Sequence, residues 1–186
     1  MPYIPLEEHL PGITGLLEYR MDTAEPIREL TQFLLRGPNT LTEAEREMIA
    51  TIVSSRNECR FCTSAHTAVA NVLLGEDETT EKIKKDISSA PISDKMKALL
   101  TIAGQVQESG KSVTAGSIEK AKSAGATDVE IHDTVLIAAL FCLYNRYVDG
   151  LSTITPTDPD FYKGLAARIS KGYHRSPQGY DHLKKK

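Results

Sequence analysis

Little in this sequence pulls toward a membrane, a nucleic acid or a disulfide scaffold. No apolar run is long enough to span a bilayer; the longest lies within Val135–Leu143, far short of the roughly 20 residues a crossing needs. Cationic excess is missing: the formal net charge is −3, which leaves no bulk electrostatic case for nucleic acid. Three cysteines in 186 residues are too few for a disulfide framework. The opening Met1-Pro2-Tyr3-Ile4-Pro5 has no basic stretch followed by an apolar one, so no secretory signal is read there and a cytoplasmic location is expected. Convincing alternation of strand residues is also lacking. What remains, 40% hydrophobic and 25% charged, is the composition of a globular chain large enough to bury a real core.

Helix signals dominate instead, and an all-α bundle is expected. Residues 1–20 carry Pro and Gly punctuation and read as an extended arm with at most a turn of helix. Residues 21–170 read as the helical domain and 171–186 as a polar, partly disordered tail ending in Lys184-Lys185-Lys186. Thr23 is placed to cap a first helix with Pro26 in its opening turn, stopping at Gly37. Thr42-Glu43-Ala44-Glu45 is a capping box opening a helix over 43–55, and Thr127-Asp128-Val129-Glu130 is a second, opening a helix to about Asp149. Between them, helices are predicted over 58–74 (stopped by Gly75), 77–88, 94–107 (capped by Ser93) and 116–123, with a last one over 158–170. The 129–149 helix is apolar around most of its circumference, which predicts a central position or cover from a second subunit, and hence a homo-oligomer. Two capped helices each leading into a longer partner make a weak internal echo, but only the first half carries a paired-cysteine motif.

That motif is Cys59-x-x-Cys62-x-x-x-His66. At about 100° per residue the three side chains fall within roughly one-sixth of a turn of each other. Thiolate is the reactive form of cysteine, so the question is what lowers the pKa. A helix N-terminus favours an anion at Cys59. A base one turn on, His66, favours Cys62 as the nucleophile. The two arguments disagree, and the residues alone leave the choice open. A Cys59–Cys62 disulfide would close only a tight local ring, easily made and easily reduced, which suits turnover.

Glu47 is the second candidate. Ala44, Ala50, Thr51 and Ser54 surround it on its helix, with no Lys or Arg at i+4, while Met48, Ile49, Ile52 and Val53 form the opposite core stripe. A neighbouring helix can approach such a small-residue face and let Glu47 hydrogen-bond His66; a solvent-exposed glutamate is the alternative.

Glu47 followed by Cys59-x-x-Cys62-x-x-x-His66 resembles the signature of the alkylhydroperoxidase-D-like (AhpD-like) branch of the carboxymuconolactone decarboxylase superfamily. Leu10–Leu17, Leu35-Arg36-Gly37-Pro38, Glu45–Ala50 and Tyr144–Leu151 are similar to its peroxidase-related subgroup. The resemblance implies an all-helical, homo-oligomeric protein and a cofactor-free thiol peroxidase cycle acting on a hydroperoxide, with no metal. Carried over by position, it implies that Cys62 becomes the sulfenic acid and that Cys59 donates a proton and then resolves the sulfenate to a disulfide. His66 and Glu47 would form the proton relay, and an external dithiol would reduce the enzyme. One position departs: the residue before the second cysteine is a histidine in the characterised hydroperoxidase and Phe61 here. The competing readings are zinc held by Cys59, Cys62, His66 and Glu47, or a redox-responsive oligomer without turnover. Cys142 reads as an inert thiol. Tyr144, Asn145 and Arg146 read as capping and packing groups, or as lining for the site.

Overall fold

The computed structural model describes residues 1–184, apart from the side chains of Pro177 and His182; Lys185 and Lys186 of the expected basic end lie outside the described residues. Every regular element among the described residues is helical. In chain order these are α1 (Ile13–Tyr19), α2 (Met21–Arg36), α3 (Glu43–Arg56), α4 (Arg60–Leu74), α5 (Glu78–Lys85), α6 (Asp94–Glu108), α7 (Ala115–Ser123), α8 (Asp128–Gly150) and α9 (Pro159–Ile169), with 3-10 stretches over Ile87–Ser89, Gly110–Ser112 and Pro177–Leu183. No described helix is long and apolar enough to cross a membrane.

Local chemistry accounts for most of the boundaries. Both capping boxes form: Thr42 Oγ1 accepts from the Glu45 N–H while the Glu45 carboxylate accepts from the Thr42 N–H, and Thr127 and Glu130 do the same. Ser93 caps α6 through the Met96 N–H, and Gly75 ends α4 in the left-handed region, φ 73°. Two expectations need correction. The N-terminal arm holds a full helix, α1, because Leu16 and Leu17 are pulled into the interior. Thr23 does not cap α2: the helix starts at Met21, and the Thr23 hydroxyl donates back to the Arg20 carbonyl.

The main core is built from α2, α3, α6 and α8, around Leu35, Ile49, Leu99, Ile102, Ile137 and Phe141. Each such fully buried side chain contributes roughly 1.5–3 kcal/mol relative to exposure. The all-round apolarity of α8 separates into a buried face, Ile137, Ala138, Phe141 and Tyr144, and an outer face on which Leu143 is half exposed. A second, smaller cluster joins α1, α4 and α9 and contains both Cys59 and Cys62. Gly12 makes that seam possible. At φ 60° it starts α1 directly on the Phe61 ring, where a Cβ would lie 2.1 Å from the nearest ring carbon.

Candidate active site

The turn from α3 to α4 places the cysteines. The Glu58 N–H bonds the Ser55 carbonyl and the Cys59 N–H bonds the Ser54 carbonyl, which is the Schellman pattern closing α3. Its left-handed position is filled by Glu58 at φ 58° rather than by glycine, a conformation that costs a non-glycine residue about 1–2 kcal/mol. Cys59 therefore sits at the N-cap of α4 rather than inside its first turn, while Cys62 is the third helical residue. Both thiols are free and buried. The Cys59 thiol is pushed well up, first by its hydrogen bond to the Cys62 sulfur and then by burial, so its proton stays on.

Glu47 is fully buried, so the solvent-exposed alternative does not hold. Its carboxylate is bonded from three sides. His66 Nδ1 lies 2.7 Å from Oε2, an Arg36 guanidinium N–H donates to Oε1 at 2.6 Å, and the Tyr173 hydroxyl donates to Oε1 at 2.5 Å. Burial pushes this carboxyl up, but His66 above all, then Arg36 and Tyr173, outweigh it and hold it below the usual carboxylate range. An ionised Glu47 only accepts, so Nδ1 of His66 carries the proton and Nε2 is the ring nitrogen left for chemistry. Burial followed by the Glu47 charge drives the Tyr173 phenol far above its ordinary value, so it remains a donor. The His66 ring is stacked against Tyr173 and meets Phe141 edge-on at 4.5 Å, while Arg36 lies over the Tyr173 ring.

A cavity of about 90 Å³ opens onto this cluster. Cys62, His66 and Tyr173 line it; Cys59 and Glu47 do not. Its walls include Ile13 and Leu17 of α1, Phe141 of α8 and Leu165 of α9. Phe61 is part of the wall and packs on Phe161 and Tyr162. Tyr144 also faces the cavity and shares a 2.6 Å hydrogen bond with Thr31. Asn145 instead ties α8 to the α3–α4 turn through Asn57 and Ser54. Arg146 points outward and bonds the Cys142 carbonyl. Cys142 is half-buried beside Asn57, away from the cavity.

The fold thus brings Glu47, Cys59, Cys62 and His66 into one cluster. The zinc donor set does not survive the same geometry. Both Glu47 oxygens are taken by Arg36, Tyr173 and His66, and among the described residues no group of three or more His, Cys, Asp and Glu is placed to hold a metal ion. Two partners were not legible as site residues. Arg36 stands in a stretch that carried the family resemblance and a helix end but no assigned role. Tyr173 lies in the region expected as a polar tail, which folds back over the bundle. The Tyr173 N–H bonds Gln32, Arg175 pairs with Glu18, and the Tyr180 hydroxyl bonds Thr14. The signal available was the pair of tyrosines in an otherwise polar segment.

Residues 22–85 match the sequence model described as the carboxymuconolactone decarboxylase family. Two solved structures share the fold at a TM-score of 0.75 and 24% identity, over 84% of this chain and 80% of theirs. One is an uncharacterized peroxidase-related protein from Silicibacter sp. TM1040. The other, from Ralstonia eutropha JMP134, is described as an alkylhydroperoxidase AhpD core, also an uncharacterized peroxidase-related protein. No curated protein sequence matches the chain significantly.

Proposed function

We propose that the chain is a cofactor-free thiol peroxidase reducing organic hydroperoxides through Cys62 and Cys59, a reading supported by the carboxymuconolactone decarboxylase family match over residues 22–85 and by the fold shared with peroxidase-related proteins. One observation carries this reading. Cys62 and His66 face the cavity, whereas Cys59 is sealed behind them with its proton retained. This exposure supports Cys62 as the attacking sulfur, since a substrate in the cavity meets only that one.

The chemistry follows from the cluster. Arg36 balances the charge of the Glu47 carboxylate, and with Nδ1 held by Glu47 the Nε2 of His66 is the nitrogen available to act as base. His66 takes the Cys62 proton, and the thiolate attacks the distal oxygen of the hydroperoxide. The O–O bond breaks, Cys62 becomes a sulfenic acid, and the leaving alkoxide is protonated to the alcohol. Glu47 steadies the imidazolium formed on the way, and Tyr173 and Arg36 keep that carboxylate oriented. The Cys59 sulfur then displaces water from the sulfenate and forms the disulfide, its own proton leaving with the water. An external dithiol transfers two electrons and two protons to regenerate both thiols.

The test is stoichiometric. One equivalent of alkyl hydroperoxide should remove two of the three protein thiols and a dithiol should restore them. Cys62→Ser should stop peroxide consumption; unchanged turnover in that variant overturns the assignment.

A further inference from the structure

The fixed charge lining the cavity is all of one sign. Arg28 and Arg168 line it, and no Asp or Glu does, in a chain whose net charge is −3. Near one part of its wall stand three guanidinium groups, and one carboxylate is bonded to two of them. Arg28 donates to Glu18 at 2.7 Å, and Arg175 closes on the same Glu18 with two nitrogens, the nearer at 2.7 Å. Arg168 has no carboxylate partner among the described residues; it stacks over the Tyr180 ring, 3.9 Å from its centroid, and donates to the Tyr180 hydroxyl. Arg28 keeps its Nε buried without a hydrogen-bond partner. A mostly buried guanidinium beside two others is an arrangement that an anion relieves, and the planar fork of Arg suits a carboxylate. The rest of the wall, including Ile13, Leu17, Phe61 and Leu165, is apolar.

We propose that the cavity selects hydroperoxides with an apolar body and a carboxylate, the carboxylate being received by Arg168 with Arg28 beside it. The assignment rests on the peroxidase reading for its reaction, but the anion preference is measurable without turnover. The alcohol product keeps the same carboxylate, so the non-reactive hydroxy acid reports on the same contact.

Two measurements test it. Reduced protein is mixed with hydroperoxyhexanoate, its methyl ester or tert-butyl hydroperoxide, and the rate of thiol loss is followed without reductant. Separately, hydroxyhexanoate and its methyl ester are titrated into reduced protein by calorimetry. The acid is expected to exceed the ester by about tenfold or more in both rate and affinity, the scale of one charge-assisted contact. Arg168→Gln should erase the acid-to-ester ratio and Arg168→Lys should restore part of it. Equal rates and affinities for acid and ester in the wild-type protein, a comparison that needs no variant to fold, overturn the proposal. So does a ratio that survives Arg168→Gln. An acid preference in the titration with thiols untouched by every peroxide overturns the peroxidase reading and leaves the carboxylate assigned to Arg168.

Discussion

The two halves of the bundle each open with a capped helix and each bury a carboxylate, yet only one half sets that carboxylate against an imidazole beside a thiol pair. In the first, Glu47 stands five residues after the Thr42 cap; in the second, the fifth residue after Ser93 is the buried Ala98. The second half's carboxylate, Glu130, is as deeply buried as Glu47 and likewise held below its usual pKa, with burial opposed by Lys95, Thr127 and Thr40. Its partners are a capping N–H, a hydroxyl and a lysine, none of which needs to exchange a proton. Glu47 instead holds an imidazole that looks into a cavity beside a thiol. Burial and a lowered pKa therefore do not separate the two carboxylates; the identity of the bonded partner does.

The strongest way to break the contrast is to exchange the cysteines. Cys62→Ser should reduce peroxide consumption to background, whereas Cys142→Ser, on α8 and outside the cavity, should leave the rate unchanged. Equal losses in a peroxide-coupled assay would mean that the halves are not functionally distinct. Next comes the pair of carboxylates. Glu47→Gln should slow thiol oxidation by about 10²-fold, the range of a supported general base. It should also cost about 3–5 kcal/mol, because Arg36 keeps a buried charge. Glu130→Gln should leave the rate intact and cost about 1–2 kcal/mol, since Lys95 can reach water. Urea midpoints and single-turnover rates on the same samples separate the two.

Acid sharpens the comparison from the other side. Both carboxyls have folded-state pKa values below the ordinary 4.5. Each therefore stabilises the fold fully above about that pH, and the contribution is lost as pH falls through the depressed folded value. Either Gln variant should flatten the fall of the urea midpoint in that window; a slope unchanged in both would place the acid sensitivity elsewhere. The smallest effect is expected at Tyr173. Tyr173→Phe removes one of the donors to Glu47 and keeps the ring on His66, so thiol oxidation should slow by about tenfold, the low end for one hydrogen bond to a charged group. A loss as large as that of Glu47→Gln would make the hydroxyl a proton carrier rather than a positioning group.

Much of this was legible because it is local. The capping pairs Thr42 with Glu45 and Thr127 with Glu130 close over three residues, and the Cys62–His66 spacing is one helical turn whatever surrounds it. The displacement of Cys59 to the N-cap was less legible, because it depends on Glu58 accepting a left-handed conformation that composition does not favour. Phe61 could be read only as a departure from a histidine; its role as a wall depends on Gly12 and α9 arriving against it.

By itself, the sequence determined the helices, most of their ends and the stripe that puts a thiol pair beside an imidazole, since these follow from the fixed rise and rotation per residue. Tertiary structure alone decided that Glu47 is buried, that Arg36 balances it and that Tyr173 arrives from 126 positions further along the chain to share it. It alone decided that Cys62 and not Cys59 faces the cavity. The physical reason is that such contacts depend on how separate faces pack and shut out water, and periodicity within one helix carries no record of which other helix will cover it.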